Sequence, residues 1–242
     1  MLYIKKTQPS KELTNWIFAK KNDGEIHPHY DSLQTQNPGV NSYTAYQSLR
    51  QQLFNEQKGI CCYCMNKITI DNSNIEHFLP QSVFPENGVD YYNLYLACRH
   101  SIGKAKPKQH CDTAKGNDLI SKHIGYLHHN SSKNITTKCV DLIQYDEDGY
   151  ILPNKTGFKT LIKFYENYSS LTPQEKELLG TLEVLNLNCD SLVNQRKKFI
   201  AMLKQGIDPS KIQNMIIYYE TQSVSLAGVA LYFLKERLKR LP

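Results

Sequence analysis

The feature that most constrains this chain is a series of thiols threaded through residues 59–117. It opens with Gly59-Ile60-Cys61-Cys62-Tyr63-Cys64 and passes through Asn74-Ile75-Glu76-His77-Phe78-Leu79-Pro80. It continues with Tyr92-Asn93-Leu94-Tyr95-Leu96-Ala97-Cys98 and ends in His110-Cys111-Asp112-Thr113-Ala114-Lys115-Gly116-Asn117. Cys61-x-x-Cys64 is a knuckle, in which one tight turn aims two thiolates at one ion. Tetrahedral zinc needs two more ligands, and Cys98 and Cys111 are the best candidates. Twelve residues separate them rather than two, so His100 and His110, which lie between, remain open as substitutes for either thiol. The bland alternative is a set of buried free cysteines packing as small hydrophobes. Cys62 points away along the knuckle and reads as a bystander, and Cys139 and Cys189 read as packing residues.

Seven cysteines is an odd number. Met1-Leu2-Tyr3-Ile4-Lys5-Lys6 has no apolar signal region, so the expected compartment is the reducing cytoplasm, where metal ligation is a better use of thiols than disulfides. The most apolar run, Val224 to Leu234, is too short to span a bilayer and is interrupted by Ser225, so no membrane partner is expected. A hydrophobic content of 40% and a charged content of 21% describe a globular chain, and a net charge of +6 mildly favours a polyanionic partner.

Around the thiols the chain reads as α+β. Residues 2–6 suit a short strand. Ser10 can cap a helix from Lys11 to about Lys21, with Leu13, Trp16, Ile17 and Lys20 on one face. Asn41 or Ser42 can cap a second helix to about Gln57, ended by Gly59. Short strands are expected near 67–70, 74–79 and 93–97, and a short helix opens in 111–117. Asp146-Glu147-Asp148-Gly149 marks a hairpin between Cys139–Tyr145 and Tyr150–Leu152. Helices are expected over 158–169, 173–184, 190–205, 209–221 and 225–240. This divides the chain into an N-terminal helical segment (1–58), a metal-bearing core (59–120), a linker with a hairpin (121–155) and a helical C-terminal region (156–242).

A second chemistry is interleaved with the thiols. Glu76 and His77 are neighbours in an apolar strand and face opposite sides, so one can hold a metal while the other addresses a water. A satisfied histidine at a strand edge is the alternative. Asn93 can pin the loop that fixes the histidine, or be an ordinary turn asparagine. Asp112 can reach the same metal as Glu76, or simply cap a helix. Lys115 and Arg99 suit phosphate contact, with Lys104, Lys106 and Lys108 extending a basic run.

Taken together, Cys-x-x-Cys, Glu-His, Asn and Cys-Asp-x-x-Lys-Gly resemble the HNH endonuclease superfamily with its ββα-metal core. The segments 75–80 and 110–117 are similar to the PtuB-like HNH subunit of Septu-type anti-phage defence systems, which also occurs attached to retrons. Ile4-Lys5-Lys6 and Leu185-Asn186-Leu187-Asn188 leading into Arg196 fit that group too. The resemblance implies His77 as general base, Glu76 as ligand of a catalytic Mg²⁺ or Mn²⁺, Asn93 as the middle asparagine and Asp112 as a second ligand. Asp112 stands where the superfamily usually has asparagine or histidine, a mild change because a carboxylate is a good ligand for a hard cation. It also implies structural zinc at the thiols, a DNA or RNA substrate, an ABC-type or SMC-like (PtuA-like) ATPase partner and, in retron versions, a reverse transcriptase with its noncoding nucleic acid. The competing readings are a non-catalytic zinc-stabilised binding or adaptor module, and a stand-alone restriction-type HNH nuclease.

Overall fold

The computed structural model describes residues 4–34, 42–120, 142–155, 157–205 and 208–240. The architecture is α+β and mostly helical, with two small antiparallel sheets. Helices α1 (Lys11–Asn22), α2 (Tyr30–Gln34) and α3 (Ser42–Glu56) come first. Strands β1 (Ser73–His77) and β2 (Leu94–Cys98) pair next, followed by the short helix α4 (Asp112–Lys115). A hairpin of β3 (Ile143–Tyr145) and β4 (Ile151–Pro153) leads into the C-terminal helices. These are α5 (Leu161–Glu166), α6 (Pro173–Val184), α7 (Asp190–Gln205), α8 (Ile212–Thr221) and α9 (Ala227–Leu238).

Local chemistry accounts for most of these bounds. The Ser10 hydroxyl accepts from Leu13 N and starts α1. Thr172 and Glu175 form a reciprocal capping box at α6, with Pro173 in the first turn. After α3 the chain reverses through Lys58 and Gly59, both at positive φ. A side chain on Gly59 would also meet the Phe54 ring at 2.9 Å, so glycine is favoured there for two reasons.

Three expected elements come out smaller. The strand at 67–70 is only an isolated bridge from Ile60 to Lys67. Met65 at positive φ turns the chain back there, and the Ile70 carbonyl accepts from the Arg50 guanidinium instead of from a neighbouring strand. The helix expected at 158–169 shrinks to α5, starting at the Thr160 cap, and that at 209–221 opens with a 3-10 turn, Pro209–Lys211. Residues 4–6 form no strand. Asn41, Cys139 and the first part of the expected 121–155 linker, residues 121–141, lie outside the described residues.

The edge of β2 away from β1 positions the site. Every residue of β2 is buried, so its outward backbone groups need partners from elsewhere. Lys6 Nζ donates to Leu94 O at 2.6 Å. The Gln57 side chain accepts from Leu96 N at 2.7 Å and donates to Leu96 O at 2.8 Å, standing in for a third strand. Cys98 N donates to Cys61 Sγ at 3.4 Å. Thus α3, the knuckle and the N-terminal arm are all tied to one strand.

The C-terminal half grips the same region from two sides. Leu226 N, at the head of α9, donates to Met65 O at 3.1 Å, and Cys111 N donates to Leu185 O at 2.9 Å. Asn186 Nδ2 donates to Gln109 O at 2.6 Å and Pro107 O at 3.1 Å. Arg196, almost fully buried, joins Leu187 O at 2.8 Å to Gly149 O at 2.5 Å, so the β3–β4 turn is stapled to the start of α7. One apolar core runs from Leu13 through Leu49, Tyr63 and Leu96 to Leu185 and Val229.

Lys6 gives this scaffold a pH signature. Burial pushes its amine down to about 7, against the opposing pull of Glu56, and it sits over the Tyr91 ring at 3.9 Å. The unfolded chain, with its lysine near 10.5, therefore holds the extra proton between these two values, so stability rises as pH climbs through that window. The slope is at most about 1.4 kcal/mol per pH unit. We expect Lys6→Met to compare best with wild type below pH 7 and progressively worse toward pH 10, measured as unfolding free energy by denaturant titration.

Candidate functional site

Four cysteines from three separate segments converge beneath β2. Cys61 Sγ lies 3.8 Å from Cys111 Sγ, and Cys64 Sγ lies 3.7 Å from Cys98 Sγ. All four sulfurs lie within 4.8 Å of one another and all four residues are buried. Zinc–sulfur bonds of about 2.3 Å in a tetrahedron place sulfurs about 3.8 Å apart, so the spacing fits a closed four-thiolate site. Burial and hydrogen bonds from the other three push the Cys111 thiol well up, while the hydrogen bond from Cys111 brings Cys98 down to about 6. Four thiolates cannot share such a space without a cation among them.

The two histidines sit differently with respect to the thiols. His100 is exposed. His110 is buried, with Nδ1 3.3 Å from Cys111 Sγ and 4.0 Å from Cys98 Sγ, outside the group of four. With its proton on Nδ1 it donates to sulfur, an outer-shell role. Ser101 Oγ fixes it by accepting from His110 N and donating to His110 O, both at 3.0 Å. Cys62 is buried and outside the group; its N donates to Leu96 O at 3.1 Å. Cys189 is buried 3.4 Å from Ser191 Oγ, consistent with packing.

The same folding brings Glu76, Asp112 and Lys115 together. Cys111 is held at positive φ, and the next residue, Asp112, starts α4. Cys111 rather than Asp112 occupies the cap position, with no side-chain cap bond. Glu76 is 1% exposed, and its Oε1 accepts from Tyr63 Oη at 2.7 Å and from Lys115 Nζ at 2.8 Å. Burial holds the Glu76 carboxyl well above the usual range despite Lys115, and a hydrogen bond and charge from Asp112 push it further up.

Lys115, expected to contact phosphate, has inward partners in the structure. It is 2% exposed and turned inward, donating to His77 O at 2.8 Å as well as to Glu76. The buried carboxylate draws the amine in, because leaving either charge alone would cost several kcal/mol, on the order of 3–5. Arg99, Lys104, Lys106 and Lys108 are exposed on the loop after β2, as a solvated basic face.

His77 ends β1, half-buried, with Nε2 2.9 Å from Gly88 O. The edge of its ring stands against Tyr30 of α2, centroids 4.6 Å apart. Burial lowers its pKa, so the neutral imidazole is favoured. A carbonyl at Nε2 places the proton there and leaves the lone pair on Nδ1. Asn93 is buried behind it. Its side chain accepts from Leu79 N at 2.7 Å and donates to Leu79 O at 3.0 Å and Asn87 O at 3.1 Å. It therefore clamps both ends of the loop that runs from His77 to Gly88.

No family profile matches the chain as a whole or in part. A protein of Vibrio cholerae serotype O1 biovar El Tor, provisionally named the HNH endonuclease of retron Vc95, is 24% identical over 184 residues. The match spans 72% of this chain and 77% of that protein. The two chains are distantly similar. Sequence reading passed over Tyr63, Tyr30 and the outer-shell place of His110. Tyr63 carried one available signal, a polar hydroxyl locked between the two cysteines of the knuckle.

The four-thiol arrangement predicts about one tightly held zinc per chain by elemental analysis. Cys111→Ser should lose it and His100→Ala should keep it. The opposite pattern would show that the ligand set is wrong.

Proposed function

We propose that this protein is a metal-dependent HNH endonuclease that hydrolyses phosphodiester bonds in nucleic acid. The observation that carries this reading is the placement of Glu76, Asp112 and His77 around β1 and α4, built directly onto a four-thiol cluster. The distant likeness to the Vibrio cholerae protein supports it.

On this reading His77 is the general base. Its Nε2–H is engaged by Gly88 O, and Nδ1 takes a proton from the water that attacks phosphorus. Lowering of the histidine pKa keeps that lone pair free at neutral pH. Asn93 acts through the loop, holding Asn87 and hence the carbonyl next to it that orients the ring. Glu76 and Asp112 are the residues that would hold Mg²⁺ or Mn²⁺, whose charge would polarise the phosphate and stabilise the departing oxygen. The products would be a 5′-phosphate and a 3′-hydroxyl. Zinc among Cys61, Cys64, Cys98 and Cys111 would be structural, since four thiolates leave no open position.

A non-catalytic nucleic-acid-binding module would use the exposed Arg99, Lys104, Lys106 and Lys108. It would have no need for an oriented neutral histidine beside two acids. His77→Ala distinguishes the two. Its cleavage should fall about 10²–10⁴-fold, as for loss of a general base, with zinc content and thermal stability unchanged. Full activity in this variant would overturn the HNH reading.

We further infer that the protein is the nuclease effector of an anti-phage defence system, working in the cytoplasm with an ABC-type or SMC-like ATPase. The relative's name refers to a retron, and association with a reverse transcriptase and its noncoding nucleic acid is part of the same proposal. The C-terminal helices supply a docking face. Ile217 and Tyr218 are half-exposed, and Arg237, Lys239 and Arg240 are exposed. By contrast Tyr219, Tyr232 and Phe233 pack inward, with Tyr232 against Tyr145 at 5.6 Å. Reversing the charge at Arg237, Lys239 and Arg240 should weaken co-purification with the ATPase and leave metal content unchanged. Undiminished pull-down would place the docking face elsewhere.

A further inference from the structure

Tyr63 lies inside the knuckle, between Cys62 and Cys64, and is fully buried. Its hydroxyl donates to Glu76 Oε1 at 2.7 Å. Lys115 Nζ reaches the same oxygen at 2.8 Å. Oε1 therefore has two donors, and the same carboxyl is hydrogen-bonded to Asp112, its proposed partner in holding the cation. Lys115 is one residue of α4, the helix whose first residue is Asp112 and whose cap is Cys111. Both acids are thus referenced to the thiol cluster. Asp112 follows a ligand cysteine directly in the chain, and Glu76 is held by the side chain next to another.

We propose that Tyr63 is a positioning residue that transmits the geometry of the thiol cluster to the divalent-cation site at Glu76 and Asp112. The inference rests on the cation site put forward under Proposed function. The physical logic is that of an outer-shell group. A carboxylate with one oxygen pinned by a phenol is held in one orientation, and the cation meets it without reordering it. A tyrosine suits this task because its ring fills the core while its hydroxyl reaches the acid.

The test uses the full-length protein and four measurements: zinc by elemental analysis, thermal midpoint, direct Mn²⁺ binding by electron paramagnetic resonance, and the Mn²⁺ dependence of nucleic-acid cleavage. Wild type, Tyr63→Phe and Glu76→Gln are compared. Tyr63→Phe keeps the ring and removes only the donor. We expect unchanged zinc content and a thermal midpoint close to wild type. Mn²⁺ binding should weaken about 10-fold or more, the usual scale for loss of an outer-shell partner. The cleavage rate should recover at saturating Mn²⁺. A merely structural role would instead lower zinc content or stability, or depress the rate at every Mn²⁺ concentration, and any of these overturns the proposal. Mn²⁺ binding by Tyr63→Phe equal to wild type also overturns it. Glu76→Gln keeps the two readings apart. If it loses Mn²⁺ while Tyr63→Phe does not, only the role of Tyr63 fails. If Glu76→Gln binds Mn²⁺ as wild type does, the cation site itself is wrong and the Tyr63 proposal falls with it.

Discussion

The convergence of four buried thiols is the interaction on which the rest of this structure depends. Cys61, Cys64, Cys98 and Cys111 come from a turn, a strand end and a helix cap. None of these pieces is long enough to be stable alone. The sheet that carries Glu76 and His77 has two strands, and helix α4 has one turn. Two-stranded sheets and single helical turns are marginal in water without a clamp. A zinc ion at the cluster would be that clamp, contributing folding free energy on the order of 10 kcal/mol as in small zinc domains.

Packing extends the clamp outward. The outer edge of β2 is finished by side chains, Lys6 and Gln57, in place of a strand. The segment 185–188 fixes the loop that delivers Cys111, and the head of α9 holds the turn at Met65. The C-terminal helices thus take part in forming the thiol site, and they also carry the exposed basic residues proposed to meet a partner. A short structural route joins the C-terminal half to Asp112, from Leu185 through Cys111.

Much of this was legible in the sequence because the signals are local. Thr172-Pro173 with Glu175 announces α6, Ser10 announces α1, and Asp146–Gly149 announces the hairpin. The four thiols stood out because knuckle spacing is a short-range property, but the choice between Cys98, Cys111 and the two histidines needed three dimensions. The direction of Lys115 was hidden for the same reason. A lysine in a basic run reads as solvated, and only the buried carboxylate of Glu76, 39 positions earlier in the chain, explains its inward turn. The strand expected at 67–70 failed because Arg50, remote in sequence, takes the carbonyl a strand partner would have used. Lys6 and Tyr63 act through contacts of long sequence separation, which no periodicity reveals.

The central claim is that one thiol cluster, loaded with zinc, sets up a second cation site at Glu76 and Asp112 beside His77. Anomalous diffraction from crystals grown with Mn²⁺ tests it most directly, with data on either side of the zinc edge and at a wavelength where manganese scatters. The account predicts a zinc peak at the centre of Cys61, Cys64, Cys98 and Cys111, and a separate manganese peak against Glu76 and Asp112 within reach of a water at His77 Nδ1. Manganese bound away from both carboxylates, or thiols with no zinc between them in folded protein, would contradict it.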